Sequence, residues 1–146
     1  MNTAVRPRLC LIEDDEIVGE ALADRFELEG YACDWFRTGG EAVLEMPRRH
    51  YDLVLSDIHL PVLSGEALFA SLSREMAPLP PYLFITGYGE IDQAVRLLKL
   101  GATDYITKPF EIETLLEKIR SLTGATAPEG EGAQLGVSPV MRQVEA

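Results

Sequence analysis

The sequence predicts an α/β fold, a doubly wound parallel sheet of five strands with helices on both faces. Three observations carry this expectation. Short apolar runs alternate five times with stretches of helical periodicity, and the connections are short. Such alternation forces parallel strands joined by right-handed crossovers. The second run is mixed, with Asp34 inside it, while the first, third and fourth are apolar, which separates an edge strand from central ones. Lastly, polar groups follow four of the five runs: Glu13-Asp14, Asp57, Thr86-Gly87 and Lys108-Pro109.

Each element has its own signature. Arg8-Leu9-Cys10-Leu11-Ile12 reads as the first strand, ending in the acids Glu13-Asp14-Asp15-Glu16. A helix follows, with Ile17, Val18, Ala21, Leu22 and Phe26 expected on its inner face and Gly30 closing it as the C′ residue. Tyr31 to Phe36 is the mixed strand. Thr38 is placed to cap the second helix, with Glu41 at the capping-box position, and Pro47 ends or kinks that helix. His50, beyond Arg48 and Arg49, is expected to partner the helix end. The third strand, Leu53-Val54-Leu55, stops at Asp57, and Pro61 and Gly65 punctuate a loop before a helix from Ser64 to Glu75. After the connector Ala77-Pro78-Leu79-Pro80-Pro81 comes the wholly apolar fourth strand, Tyr82 to Ile85, and the turn Thr86-Gly87-Tyr88-Gly89. A helix from Glu90 to Leu100 is expected to turn Ile91, Ala94, Val95 and Leu98 to one face, with Gly101 ending it. Thr103 to Ile106 is the fifth strand, and Ile112, Leu115, Leu116, Ile119 and Leu122 mark a last helix stopped by Gly124. A second strand at the edge and apolar strands in the middle favour the flavodoxin-like order 2-1-3-4-5.

Composition sets limits on function. The chain has 146 residues, 47% of them hydrophobic, enough for one well-buried domain. The mean hydropathy of +0.02 is that of an ordinary globular protein. Most of the net charge of −11 precedes Ala125, since the tail sets Glu129, Glu131 and Glu145 against Arg142. A domain this acidic repels nucleic acid and anionic membrane surfaces, so direct DNA binding and membrane association are not expected of it. Cys10 and Cys33 fall in strands and read as small buried apolar residues, consistent with a reducing cytoplasm. No apolar run approaches a membrane span, and residues 1–8 have no apolar stretch of the kind a signal peptide carries.

Ligands of a doubly wound sheet bind beyond the carboxyl ends of the strands. This chain places Glu13, Asp14, Asp57, Thr86, Gly87 and Lys108 there. A carboxylate ending a buried strand is costly unless its charge is used. Crowded carboxylates repel one another and become tolerable around a hard divalent cation, for which an all-oxygen set suits Mg²⁺, with Mn²⁺ as a substitute. Lys108, the Thr86 hydroxyl and the Gly87 amide would meet the remaining oxygens of a phosphoryl group. The chemistry favoured is in-line phosphoryl transfer onto Asp57, giving an acyl phosphate. Taken singly, Asp57 could be a helix cap, Lys108 a surface cation and Thr86 a turn hydroxyl; their coincidence at four strand ends favours one shared site.

The motifs Leu11-Ile12-Glu13-Asp14-Asp15, Asp57-Ile58-His59-Leu60-Pro61 with Gly65, Thr86-Gly87, and Asp104-Tyr105-Ile106-Thr107-Lys108-Pro109-Phe110 resemble the receiver domain of bacterial two-component response regulators over residues 8–124. The resemblance implies a CheY-like fold and a module that is not an enzyme beyond its own phosphorylation and dephosphorylation. It implies Asp57 as phosphoacceptor and a sensor histidine kinase as donor. It also implies metal ligation by Asp14, Asp57 and the His59 backbone carbonyl, with Glu13 acting through water. Thr86 and Lys108 would bind the phosphoryl group, Thr86 and Tyr105 would form a switch pair, and the Lys108–Pro109 bond would be cis. Homodimerisation on phosphorylation is implied too, with the α4-β5-α5 face its usual site. Glu13 stands where aspartate is common, and His59 fills a variable position where a solvated loop imidazole is expected.

From Thr123 the composition turns to that of a polar linker, assigned to 125–134. Ser138-Pro139 then reads as an N-cap and N1 pair, and 135–146 resembles the opening of the central ATPase domain of NtrC-class transcriptional activators. That resemblance implies a longer protein that binds ATP, DNA and polymerase carrying the nitrogen-type alternative sigma factor. Gly124 and Pro128 argue against a continuous coiled coil, so activation by new contacts is expected rather than release of a rigid inhibitory dimer. Two rivals share the fold. A Mg²⁺-dependent aspartyl phosphatase would want a second acid at position 59, where histidine stands, and an interaction module that is not phosphorylated would be expected to have lost part of the pocket.

Overall fold

The computed structural model describes residues 6–76 and 78–124. The expected linker at 125–134 and the ATPase-like segment at 135–146 lie outside these residues. The elements are β1 (Arg8–Ile12), α1 (Glu16–Leu28), β2 (Ala32–Phe36), α2 (Gly39–Glu45), β3 (Leu53–Asp57), α3 (Gly65–Glu75), β4 (Tyr82–Thr86), α4 (Ile91–Lys99), β5 (Asp104–Thr107) and α5 (Ile112–Thr123). Short 3₁₀ turns, Met46–Arg48 and Tyr88–Glu90, follow α2 and precede α4. All five strands are parallel, in the order β2-β1-β3-β4-β5.

The period-two pleat sorts each central strand into two cores. Leu9, Leu11, Leu53, Leu55, Leu83 and Ile85 pack against Leu22 and Phe26 of α1 and Leu115, Leu116 and Ile119 of α5. Their alternates, including Cys10, Val54, Tyr82 and Phe84, pack against α2, α3 and α4 through Ala42, Leu68, Phe69, Leu72, Ala94 and Leu97. Phe69 meets Tyr82 edge-on, with ring centroids 5.0 Å apart. Burying strands on both faces explains their unbroken apolar runs. It also brings the carboxyl ends of β1, β3, β4 and β5 to one rim.

The helix faces depart from the expectation in two places. In α1 the buried residues are Gly19, Leu22 and Phe26, while Ile17 is 81% exposed and Ala21 is exposed as well. Asp15 Oδ1 accepts from the amides of Ile17 and Val18, which fixes the helix start. The Trp35 indole occupies the space beside Gly19, where any Cβ would overlap the ring. Turning Ile17 inward would rotate Gly19 off that ring. In α4, Ala94 and Leu97 are buried and Val95 faces solvent, because an i, i+3 pair aimed at the sheet leaves the residue one step round the helix outside.

The capping of α2 differs in detail. Thr38 Oγ1 accepts from the Glu41 amide at 3.1 Å, but the Glu41 carboxylate accepts from the Arg37 amide rather than from that of Thr38. His50 does not partner a helix end. Pro47 turns the chain into the 3₁₀ segment, extended backbone resumes at Arg49, and the His50 Nε2 lies 3.2 Å from Asp52 Oδ1. Gly30, with φ 98°, follows the end of α1 in a conformation that favours glycine.

Candidate functional site

Glu13 directly follows β1 and is 1% exposed; Asp57 ends β3 and is 5% exposed; Asp14 is exposed. Each of the three acids offers an oxygen within 4.8 Å of the others. Asp57 is held at both oxygens. Its Oδ1 accepts from the His59 amide at 2.9 Å and its Oδ2 from Lys108 Nζ at 2.9 Å. Lys108 reaches across from the end of β5, anchored by its own amide donating to the Thr86 carbonyl at 2.8 Å and followed by a cis bond to Pro109.

Thr86 ends β4, fully buried, with its hydroxyl donating to the Gly87 carbonyl at 3.0 Å. Phe84 pairs with Tyr105 across β4 and β5, and Thr86 pairs with Thr107. Thr86 therefore lies two residues beyond Phe84 on the face against which the half-buried Tyr105 packs. The Gly87 amide, expected from the sequence as a donor to a phosphoryl oxygen, donates here to Glu90 Oε1 at 3.1 Å. His59 follows Asp57 by two residues, and its exposed ring places Nδ1 3.3 Å from Glu90 Oε2.

The electrostatics follow from this crowding. Burial, together with the charges of Asp57 and Asp14, pushes the Glu13 carboxyl up to about 7, against the opposing pull of the Asp15 amide and Lys108. Burial disfavours the Lys108 ammonium, but the hydrogen bond and charge of Asp57, with Glu13 and Asp14, outweigh it and raise the net pKa. Lys108 therefore stays cationic. Glu13 Oε2 accepts from the Asp15 amide, while Glu13 Oε1 is buried with no hydrogen-bond partner among the described residues. A buried, unsatisfied carboxylate oxygen beside two further acids fits a hard divalent cation.

Two contributors, Trp35 and Glu90, are not singled out by the sequence, and a third, Gly65, enters there only as a loop break and as part of the receiver-like motif. Trp35 Nε1 donates to the Glu13 carbonyl at 2.9 Å, and the Glu13 amide donates to the Phe36 carbonyl at 3.0 Å. The end of β2 thus holds the main chain of the acid turn, although β2 itself carries no acid of the pocket. Gly65 opens α3 against the phosphoacceptor strand; a Cβ there would lie 2.6 Å from the Asp57 carbonyl oxygen and 2.7 Å from Ile58 Cα. Glu90 bridges the loops that follow β3 and β4. A glycine eight residues after the end of β3, at the start of the next helix, hints at a close approach, but nothing local announces the reach of Trp35 or Glu90.

The sequence model of the response regulator receiver domain matches residues 9–120, and the chain belongs to that family. It is 33% identical to the response regulator protein FleR of Pseudomonas aeruginosa over 138 residues, which is 94% of this chain and 29% of FleR. It is 32% identical over 152 residues to the C4-dicarboxylate transport transcriptional regulatory protein DctD of Rhizobium meliloti, covering 94% of this chain and 33% of DctD. The chain thus spans about a third of these relatives. The non-phosphorylated HemR receiver domain of Leptospira biflexa superposes with a TM-score of 0.75 at 33% identity, over 86% of this chain and all of that one. Receiver domains are signalling modules of two-component phosphorelays rather than classical enzymes; they accept phosphate from histidine kinases and bind Mg²⁺ through an acidic pocket. No described helix is long and apolar enough to cross a membrane.

Proposed function

We propose that residues 8–124 act as a phosphorylatable switch in which Asp57 takes a phosphoryl group from the phosphohistidine of a sensor histidine kinase. The observation that carries this reading is Asp57 itself. Its carboxylate lies 2.9 Å from the Lys108 ammonium, beside an acid trio in which Glu13 Oε1 has no partner. A carboxylate oxygen of Asp57 attacks phosphorus in line, the P–N bond breaks, and its electron pair returns to the donor imidazole. Asp14, Asp57 and the His59 carbonyl would hold Mg²⁺ (or Mn²⁺), with Glu13 acting through water. The chemistry such a cation would supply there is neutralisation of charge on the transferring group.

Lys108 would leave its resting pair with Asp57 to contact a phosphoryl oxygen, so the cation follows the charge from carboxylate to phosphate. The Thr86 hydroxyl would rotate from the Gly87 carbonyl toward the phosphoryl group, and Tyr105, on the same face, would fill the space that Thr86 vacates. Hydrolysis of the acyl phosphate returns Asp57 and inorganic phosphate. Beryllofluoride or acetyl phosphate with Mg²⁺ should form an adduct on the wild type and none on Asp57→Asn. An adduct that survives the substitution, or a wild type that forms none, refutes the assignment.

The output is proposed from the resemblance at Ser138-Pro139 and from the similarity to FleR and DctD. On this reading, 125–134 links the receiver to an NtrC-class ATPase beginning within 135–146, and a DNA-binding domain follows. That protein would act in the cytoplasm, dimerise on phosphorylation, bind ATP and DNA, and engage polymerase carrying the nitrogen-type sigma factor. The receiver would activate the ATPase through new contacts. Deleting residues 1–124 from such a protein should leave the ATPase inactive, and constitutive activity would refute activation by contact.

A further inference from the structure

The Glu90 carboxylate makes two contacts at the mouth of the site. Oε1 accepts from the Gly87 amide at 3.1 Å, and Oε2 lies 3.3 Å from His59 Nδ1. The first contact alone has a local explanation, since a glutamate at the third position of a helical turn commonly caps the amide before it. That explanation does not account for the second. His59 belongs to the loop after β3, two residues beyond Asp57, and its main-chain amide already holds Asp57 Oδ1. Glu90 therefore joins the two loops that flank the phosphoacceptor.

We infer that Glu90 is a positioning residue that holds the unphosphorylated state by occupying, with its own negative charge, the Gly87 amide that a phosphoryl oxygen must take. The inference rests on Asp57 being the phosphoacceptor and Gly87 a phosphoryl-binding amide. Both contacts oppose phosphorylation. The amide has one hydrogen to donate, so carboxylate and phosphoryl oxygen exclude each other. The carboxylate also sets a like charge beside the incoming anion in a partly desolvated mouth. The Glu90 side chain is 27% exposed, so it can swing into solvent once displaced. His59 favours the closed position, because its ring anchors the second carboxylate oxygen. The identity of residue 59 thereby acquires a role in this chain through its partner at position 90.

Glutamine separates charge from capping. It fills the same capping position and accepts from the same amide, but carries no charge and binds that amide less strongly. The test is the affinity for beryllofluoride at saturating Mg²⁺, read from the bound ¹⁹F signal, for wild type, Glu90→Gln, Glu90→Ala and His59→Ala. Both Glu90 variants should bind the anion about tenfold more tightly, as expected when a charged competitor for one hydrogen bond is removed. His59→Ala should shift affinity in the same direction by a smaller factor. In the two Glu90 variants, Mg²⁺ affinity without beryllofluoride should change by about twofold or less, because the carboxylate acts on the anion and not through the acid trio. Wild-type affinity in Glu90→Gln with weaker binding in Glu90→Ala would make Glu90 only a cap and overturn the inference. A wild type that forms no adduct would instead defeat the phosphoacceptor reading, and this inference with it.

Discussion

Replacing Glu13 by glutamine probes the acid pocket through stability, without phosphorylation. The Glu13 carboxyl is 1% exposed and raised from its ordinary 4.5 to about 7, chiefly by burial. Below about pH 4.5 it is protonated in both the folded and the unfolded chain, and its charge costs nothing. Between 4.5 and about 7 the unfolded chain gives up its proton first, so native stability falls as pH rises. Above about 7 the loss is complete. At about 1.4 kcal/mol per tenfold in proton affinity it amounts to about 3 kcal/mol. Glutamine has the same shape and no charge. In the absence of divalent metal, urea unfolding should find Glu13→Gln about 3 kcal/mol more stable than wild type at about pH 8.5, and about equal to it at acid pH. Saturating Mg²⁺ should narrow the gap by stabilising the wild type more, because it binds the ionised native pocket. A variant no more stable than wild type at high pH, or one with the same gain at both pH values, would refute a buried, metal-seeking Glu13.

Two further substitutions test the loop that follows Asp57. At Gly65 all three atoms that a Cβ would meet closely, the Asp57 carbonyl oxygen, Ile58 Cα and the Ile58 carbonyl oxygen, are main chain and cannot swing aside. Gly65→Ala should therefore destabilise the domain by about 2 kcal/mol in urea unfolding and weaken beryllofluoride binding; an unchanged midpoint would refute the close approach. Val62 is fully exposed with φ 65°, a left-handed conformation that is unfavourable for a β-branched residue. Relief of roughly 1–3 kcal/mol of strain outweighs roughly 0.5–1 kcal/mol of extra chain entropy, so Val62→Gly should gain about 1 kcal/mol, and a destabilised variant would refute the strain.

Much of the fold is legible locally because its causes are local. The unbroken apolar runs Leu53 to Leu55 and Leu83 to Ile85 mark strands buried on both faces, and the period of 3.6 in Ile112 to Leu122 follows from helix geometry. Connection rules then fix the handedness, and the mixed composition of β2 fixes the edge. Helix rotation is less legible. Ile17 and Leu22 are both apolar in α1, and the close fit of Gly19 against the Trp35 ring, a tertiary contact, goes with Leu22 turned inward and Ile17 outward.

The site divides along the same line. That Glu13, Asp14, Asp57, Thr86 and Lys108 share one rim is determined by the sequence, because each ends a strand and parallel strands end together. What those groups bond to in the resting state is decided only by tertiary structure. Trp35 reaches the Glu13 carbonyl across 22 residues, and Lys108 reaches Asp57 across 51. The Gly87 amide, which the sequence leaves open for a phosphoryl oxygen, is taken by Glu90, whose other oxygen meets His59 in a different loop. Such contacts depend on the separation and direction of side chains on different elements, and a one-dimensional pattern holds neither.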